Sequence, residues 1–300
     1  MDVAITGSSG FVAKQLKKYF EEYAPCHIHF INLRETISND VLNKVSTIVH
    51  LAGKAHDLKK TSRPEEYYQV NYHLTKNLYD AFLKSQAKKF IFISSVKAAA
   101  DSIKGVLDEN YEPNPQTDYG KSKLMAEQYI QNQPLAEGKS YYILRPCMIH
   151  GPGNKGNLNL LYKFVKKGIP YPLAAFDNKR SFLSVQNLCF VINELISRDD
   201  IPGGIYQVAD NEALSTNAVV SILASSLNTK PKLWKISPGI IEFLAKVGDY
   251  FKLPLTTERF NKLTESYVVS NQKIKQALNK GLPLTATQGL KITADSFNKN

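Results

Sequence analysis

A phenol, an ammonium and a hydroxyl stand at spacings that suit proton transfer. Tyr119 and Lys123 are four residues apart in a stretch with apolar residues at three- and four-residue intervals, so on a helix they share one face, about one turn apart. An ammonium in that position favours the phenolate and draws the phenol below its usual value of ~10. Such a tyrosine can give or take a proton near neutral pH. Ser94 and Ser95 close an apolar run 24 residues before the tyrosine. If that run is a buried parallel strand, the serines lie at the carboxyl edge where open sheets bind ligands. Tyrosine and lysine meet at this spacing on many helices, so it is the coincidence of all three groups that points to chemistry.

A second cluster suits phosphate. Residues 3–6 read as a short buried strand that runs into Thr6-Gly7-Ser8-Ser9-Gly10-Phe11-Val12-Ala13 and then a helical pattern. Gly7 allows a tight turn, Gly10 lets backbone amides approach a pyrophosphate, and Ala13 permits close packing of helix on strand. After the next strand an NAD-selective protein would place a carboxylate on the adenosine ribose, but here Ile31-Asn32-Leu33-Arg34 follows. Asn32 is no anion, and Arg34 could pair with a 2'-phosphate, which favours NADP(H) over NAD(H).

These groups need a scaffold. Residues 3–6, 28–33, 47–52, 90–94 and 141–145 form apolar runs too short for buried helices. Helical periodicity fills 10–23, 65–84 and 119–132 between them. Strand and helix in alternation predict an α/β fold, a Rossmann-type doubly wound parallel sheet over residues 1–150. After Gly151-Pro152-Gly153, helical stretches at 158–167, 185–196 and 216–227 surround one strand at 204–209, and helices dominate from 236. Residues 151–300 therefore read as a smaller, mainly helical substrate lobe, with 183–212 returning to the sheet. The cleft between the lobes is the expected ligand site.

The chain resembles the extended short-chain dehydrogenase/reductases of the NAD-dependent epimerase/dehydratase family that act on nucleotide sugars. The likeness rests on the glycine turn, His50-Leu51-Ala52-Gly53, Asn71 with Thr75 and Asn77, Ser94-Ser95, Tyr119 to Lys123, and Leu144-Arg145-Pro146 ahead of His150-Gly151-Pro152-Gly153. It covers nearly the whole chain. The resemblance implies that Tyr119 is the catalytic acid/base, Lys123 its partner and a ribose ligand, and Ser95 the hydroxyl that orients the reacting oxygen. It places the dinucleotide against Gly7, Ser9, Gly10, Phe11, Val12, Asn32, Arg34, Leu51, Ala52, Gly53, Asn71, Tyr119 and Lys123. Pro146 and Met148 lie beside the nicotinamide in the same scheme. Two departures stand out: only 18 residues separate Asn32 from His50, so a strand and a helix are missing near the adenine side, and Ala98-Ala99-Ala100 replaces the family's Val-Tyr-Gly.

The reaction narrows by elimination. Sugar 4,6-dehydratases of the resembled family carry Asp-Glu after the catalytic Ser or Thr, because loss of water needs an added acid and base; Val96-Lys97 stands here. Epimerase-reductases of the GDP-fucose synthase type carry a cysteine at the position of Val96. Reduction of a 4-keto sugar and 4-epimerisation remain. Residues 151–158, 170–173 and Asn178-Lys179-Arg180-Ser181-Phe182 resemble the 4-ketoreductase subgroup that forms UDP-N-acetylquinovosamine. That subgroup implies a UDP-linked substrate held by Ser95, Asn157, Arg180 and Arg259, with surface-polysaccharide synthesis in bacteria as the setting. A UDP-N-acetylhexosamine 4-epimerase is the alternative. Homodimerisation through two helices of the sheet lobe is common in the resembled family.

Composition sets the outer bounds. With 43% hydrophobic and 22% charged residues, 300 residues form a core without disulfides. Three cysteines with no Cys-x-x-Cys spacing argue for a reducing, cytoplasmic compartment and against a zinc site. His27, His29, His56 and His73 show no metal-ligand spacing in the sequence, so no metal is expected. No apolar run approaches the ~20 residues of a membrane span. The net charge of +11 is spread over scattered lysine pairs rather than an aromatic-interleaved stripe, which argues against nucleic acid. A non-catalytic NADP-sensing or RNA-associated protein on the same fold is the reading from another class, with Ser95, Tyr119 and Lys123 counting against it.

Overall fold

The computed structural model describes residues 1–35, 39–55, 63–154, 156–251 and 256–298; His56 and Lys155 lie outside them. Six strands form the central sheet: β1 (Asp2–Thr6), β2 (His27–Ile31), β3 (Thr47–His50), β4 (Lys89–Ile93), β5 (Ser140–Pro146) and β6 (Gly204–Val208). Their order is β6-β5-β4-β3-β1-β2, and every pairing is parallel. The order reverses between β1 and β3, which opens a crevice at their carboxyl ends.

Both faces of the sheet are covered, which is why its strands read as continuous apolar runs. On one face Val3, Ile5, Val49, Ile91 and Leu144 pack against α1 (Phe11–Tyr23) and α5 (Val185–Ser197). On the other, Ala4, Ile48, Phe92 and Ile143 meet Leu78 and Phe82 of α2 (Leu74–Lys84) and Ala126 and Ile130 of α3 (Asp118–Gln131). After α5 the chain returns to the sheet, and β6 pairs with β5.

Among the described residues the sheet ends at β2. A doubly wound sheet of this order carries a further strand outside that position. Between Ile31 and Thr47 the described residues hold only the short helix Asn39–Leu42, so the adenine side has the missing elements that the short Asn32-to-His50 segment implies.

Periodicity over 65–84 suggests one helix. The structure has three pieces: an α-turn at Pro64–Tyr67, a π-helical turn at Tyr68–His73, and α2. The wide turn places Asn71, fully buried, at the floor of the crevice; π-turns inside helices often mark functional positions.

The second lobe is built on two apolar clusters. Leu158 and Tyr162 of α4 (Asn157–Lys166), Val219 and Leu223 of α6 (Thr216–Ser226), and Leu290 of α10 (Ala286–Phe297) form one. Tyr171 and Leu173 with Ile241 and Ala245 of α7 (Pro238–Phe251) and Phe260 of α8 (Thr257–Thr264) form the other. The helix α9 (Gln272–Leu278) packs back on the sheet domain through Ile274 and Leu278.

Candidate active site

The glycine turn is fixed by contact with the strand beside it. Gly7 adopts φ +72°, and a Cβ there would lie 2.8 Å from both Cα and N of Ala52. The Gly10 amide donates to Gly7 O at 2.9 Å and closes the loop. Gly10 caps α1 without a side-chain hydrogen bond, and the first turn holds no acidic residue. The free amides of that turn and the positive end of the helix thus suit an anion. Ser9 and Gly10 are exposed, whereas Phe11, Val12, Leu51 and Ala52 are half-buried and wall the crevice. The residues fit a dinucleotide pyrophosphate.

A buried relay ties the crevice together. The Ala52 amide donates to Thr6 Oγ1 at 3.1 Å, and Thr6 Oγ1 meets His50 Nδ1 at 2.7 Å. His50 Nε2 meets Thr75 Oγ1 at 2.8 Å, and Thr75 donates to Asn71 O at 2.8 Å. Because Thr75 spends its proton on that carbonyl, it accepts from His50, so the imidazole carries its hydrogen on Nε2 and Nδ1 accepts from Thr6. Burial drives the His50 pKa down to about 3, aided by the Lys123 charge; the ring is a neutral brace.

Asn71 is held on three sides. Its Oδ1 accepts from the Lys54 amide at 2.8 Å, and its Nδ2 donates to Lys54 O and Ser122 Oγ, each at 3.1 Å. Gly53 lies where a Cβ would be 3.1 Å from Lys123 Nζ and 3.2 Å from Asn71 Oδ1. The crevice therefore narrows onto the lysine.

Ser95, Tyr119 and Lys123 come together. Ser95 caps the 3-10 turn Val96–Ala98, its Oγ accepting from the Lys97 amide at 3.2 Å, and it hydrogen-bonds the Tyr119 phenol. Thr117 caps α3 by accepting from the Gly120 amide at 3.2 Å. The Asp101 carboxylate accepts from the amides of Gln116 and Thr117 at 2.7 and 3.1 Å, which lashes the serine turn to the helix start. Lys123 is 4% exposed and donates to Ile93 O at 2.9 Å above the Phe92 ring. Its pKa is lowered to about 8 by burial, against the favourable charge of Glu127.

One expectation is corrected here. The lysine charge was to draw the phenol downward, but in the protein alone loss of solvent raises the Tyr119 pKa, with the Ser95 hydrogen bond opposing. The ammonium is turned toward Ile93 O, so the phenol remains a protonated acid.

Beneath the lysine runs a buried ion pair that sequence reasoning missed. Glu127 and Arg145 are at most 2% exposed; Arg145 Nη2 reaches Glu127 Oε2 at 2.5 Å and Nε lies 3.1 Å from both carboxylate oxygens. Ser94 donates to Glu127 Oε1. The signal was present: Glu127 follows Lys123 by one turn, and an arginine inside an apolar strand requires a partner.

The substrate side is more varied. Arg180 is half-buried, with Nε donating to Glu265 O at 3.2 Å and Nη2 to Lys262 O; in this state it braces the lobe rather than presenting a free fork. Asn157 is exposed at the first turn of α4, behind the cap residue Gly156 and beside buried Leu158. Arg259 is exposed on α8. Ala98, Ala99 and Ala100 are buried, and the space beside them is taken by Tyr267, whose hydroxyl donates to Ala100 O at 2.7 Å and whose ring stacks under Lys97 Nζ at 4.4 Å. Pro146 is buried at the end of β5 and Met148 is exposed just beyond it. Cys147 between them is buried, and its thiol pKa is pushed well up, so it is no thiolate.

On the turn after β2, Asn32 and Arg34 are exposed. Asn32 Nδ2 donates to Glu35 Oε1 at 2.6 Å and its Oδ1 accepts the Arg34 amide at 3.1 Å, so the asparagine shapes the turn that presents Arg34. The sequence reading of the histidines needs one correction: two-residue spacing on β2 puts His27 and His29 on one face, 2.8 and 3.2 Å from Asp2 Oδ1. Among the described residues this is the one group of three or more such side chains whose ligand atoms lie within 4.8 Å of one another; it sits at the sheet edge, outside the crevice.

Comparison with known proteins agrees with this architecture. The NAD dependent epimerase/dehydratase family matches residues 3–209. The chain is 30% identical to a UDP-glucose 4-epimerase of Vibrio cholerae over 98% of this chain and 95% of that one. It is 29% identical to an N-acetyl-alpha-D-glucosaminyl-diphospho-ditrans,octacis-undecaprenol 4-epimerase of Escherichia coli O157:H7 over 92% and 85% of the two chains. Among solved structures, MoeE5 in complex with UDP-glucose and NAD superposes with a TM-score of 0.76 at 20% identity, covering 100% and 99% of the two chains, which speaks to the fold. The chain belongs to the NAD-dependent epimerase/dehydratase family, within the extended short-chain dehydrogenase/reductases.

Proposed function

We propose that this protein uses NADPH to reduce the 4-keto group of a UDP-linked 4-keto-6-deoxy-N-acetylhexosamine. The site offers one acid–base couple, Ser95 with Tyr119, which leaves reduction and 4-epimerisation; the observation that carries reduction is the short sheet edge beyond β2 on the adenine side. Val96 and Lys97 follow the serine, with neither the carboxylate pair that dehydration needs nor a thiol beside the ketone, and Cys147 is protonated by burial. Hydride delivery to C4 is the chemistry a bound nicotinamide dinucleotide supplies. Tyr119 gives its proton to O4 while Ser95 hydrogen-bonds that oxygen, and the product is the 4-alcohol. Lys123 holds the ribose end of the cofactor and stabilises the phenolate that remains. The free first turn of α1 binds the pyrophosphate and Arg34 the 2'-phosphate. Asn157, Arg180 and Arg259 serve the UDP moiety, Arg180 by exchanging backbone carbonyls for phosphate oxygens.

The short sheet edge supports a cofactor that comes and goes. A reductase must exchange its oxidised dinucleotide every turnover, whereas an epimerase keeps its own. Loss of the outer strand beyond β2 removes part of the adenine wall and favours exchange. A UDP-N-acetylhexosamine 4-epimerase is the second reading, favoured by the two epimerase relatives that span most of the chain. Incubation with the 4-keto-6-deoxy nucleotide sugar and each reduced cofactor separates them. Equimolar NADPH consumption and sugar alcohol by NMR are expected. Interconversion of UDP-GlcNAc and UDP-GalNAc by protein that retains NAD, without reductant, overturns the proposal.

A further inference from the structure

The second lobe carries an apolar helix face that packs on nothing described. Along α7 at 100° per residue, Ile241, Ala245 and Gly248 fall on one side and are buried, the first two against Tyr171, Leu173 and Phe260. Glu242, Lys246 and Asp249 lie about 100° round the helix from that side. Between these two sides lies a third stripe, Ile240, Phe243, Leu244 and Phe251, which are 55, 65, 45 and 65% exposed. Trp234, 58% exposed, stands just ahead of the helix. Large side chains left in water over three turns of one helix mark a contact surface rather than scattered apolar residues.

Charge says what kind of contact. Residues 155–176 and 213–241 contain no aspartate or glutamate, yet they hold seven lysines. The two segments pair with one another: the Tyr171 amide donates to Lys232 O at 2.8 Å and the Trp234 amide to Tyr171 O at 2.9 Å. Exposed Lys166 and Lys167 at the end of α4 are thereby joined to exposed Lys230, Lys232 and Lys235, and a Cβ on Gly168 would lie 3.4 Å from Lys232 Nζ. A lysine patch on two segments that themselves hold no acid thus leads past Trp234 into a helix with two Phe on its free face.

We propose that α7 and the lysine patch form an interfacial binding surface for an anionic phospholipid bilayer. The apolar stripe sinks into the headgroup boundary and the lysines meet lipid phosphates. A second copy of the chain fits less well, because a two-fold contact would set the same lysine patch against itself. The helix lies on the surface and does not cross; no described helix is long and apolar enough to span a membrane. The surface is separate from Ser95, Tyr119 and Lys123, so it concerns where the protein works and leaves the chemistry unchanged.

Co-sedimentation of the full chain with vesicles tests this. Vesicles of equal parts phosphatidylcholine and phosphatidylglycerol should take up the protein at least ~10-fold better than phosphatidylcholine alone, and raised salt should reverse the uptake. Phe243→Glu with Phe251→Glu should abolish it, and Lys166→Glu with Lys232→Glu should weaken it ~10-fold or more, with unchanged melting temperature in each case. Equal uptake by both vesicle types overturns the proposal. So does light scattering that finds a dimer of the native chain converted to monomer by Phe243→Glu, which assigns the face to a second copy.

Discussion

A side chain on Gly120 would set its first carbon 2.4 Å from the carbonyl oxygen of Lys97. The residue after the tyrosine must therefore be glycine for α3 to rest on the serine turn, and that contact is what brings the Tyr119 and Ser95 hydroxyls into hydrogen-bonding range. Gly120→Ala has to push the helix start away from a backbone that cannot yield cheaply. Overpacking of this kind costs about 1–3 kcal/mol, and an ångström of misplacement lowers turnover ~100-fold. Turnover kinetics with a thermal melt check it; native turnover with an unchanged melting temperature contradicts the packing argument.

Tyr119→Phe removes the proton donor and keeps the ring that meets Tyr67 edge-on at 6.1 Å. Turnover should fall by ~100- to 10,000-fold with the melting temperature little changed. Ser95→Ala leaves the donor in place and loses one hydrogen bond to the reacting oxygen, so it should cost less. Single-turnover measurements at saturating NADPH rank the two variants, and native rates in the Tyr119→Phe variant end the assignment of the phenol as acid.

The parts of this site that depend on local spacing were legible before the fold was known. The glycine turn, the buried strands and the Tyr119 to Lys123 interval each repeat a short-range pattern that the backbone obeys. The wide turn around Asn71 was not legible, because one added residue per turn leaves the apolar spacing on either side of Tyr68–His73 intact. Tyr267 arrives from 172 residues beyond Ser95 to fill the wall beside Ala98 to Ala100, and nothing near either segment announces the other. Arg180 was read as a phosphate ligand from residue type and resemblance alone; its carbonyl partners at Lys262 and Glu265 exist only once the lobe has folded. The His27, His29 and Asp2 cluster needed the strand pairing of β1 with β2, since period two matters only after the segment is known to be a strand.

Lys123 sets a pH limit. Its pKa of about 8 in the folded protein lies below the unfolded value of ~10.4, so the ammonium is held at neutral pH and lost as pH rises through 8. In the proposed reaction the charge stands beside the phenolate, so turnover should decline on that alkaline limb. Stability should move the other way: burying a charge costs the fold at and below pH 8, and the cost is relieved between about 8 and ~10.4 as the group loses its proton. Lys123→Met should flatten this stability change in denaturant titrations across the same window. A rate profile level through pH 9 argues against the role.

Arg34 is a cation on the turn after β2, its backbone held by the Asn32 side chain. Arg34→Ala should raise KM for NADPH by ~10-fold or more while leaving KM for NADH nearly unchanged, because only the former carries the 2'-phosphate that a guanidinium fork grips. Steady-state kinetics with both reductants decide it. Equal effects on the two cofactors place the arginine outside the phosphate site.

Glu127 separates a positioning role from a merely structural one. It pairs with Arg145 in the core and its charge supports the Lys123 ammonium from one turn away. Glu127→Gln keeps the shape and removes the anion, so Arg145 is left a buried cation with neutral partners; deleting one member of such a pair costs about 3–5 kcal/mol. The same loss disfavours protonated Lys123 and should carry the alkaline limb of the rate profile to lower pH. A purely structural residue would lower the melting temperature and leave that limb where it was. The two readouts are independent, so a destabilised variant with an unmoved pH profile confines Glu127 to the core, whereas a downward shift of the limb ties the buried pair to the Lys123 ammonium.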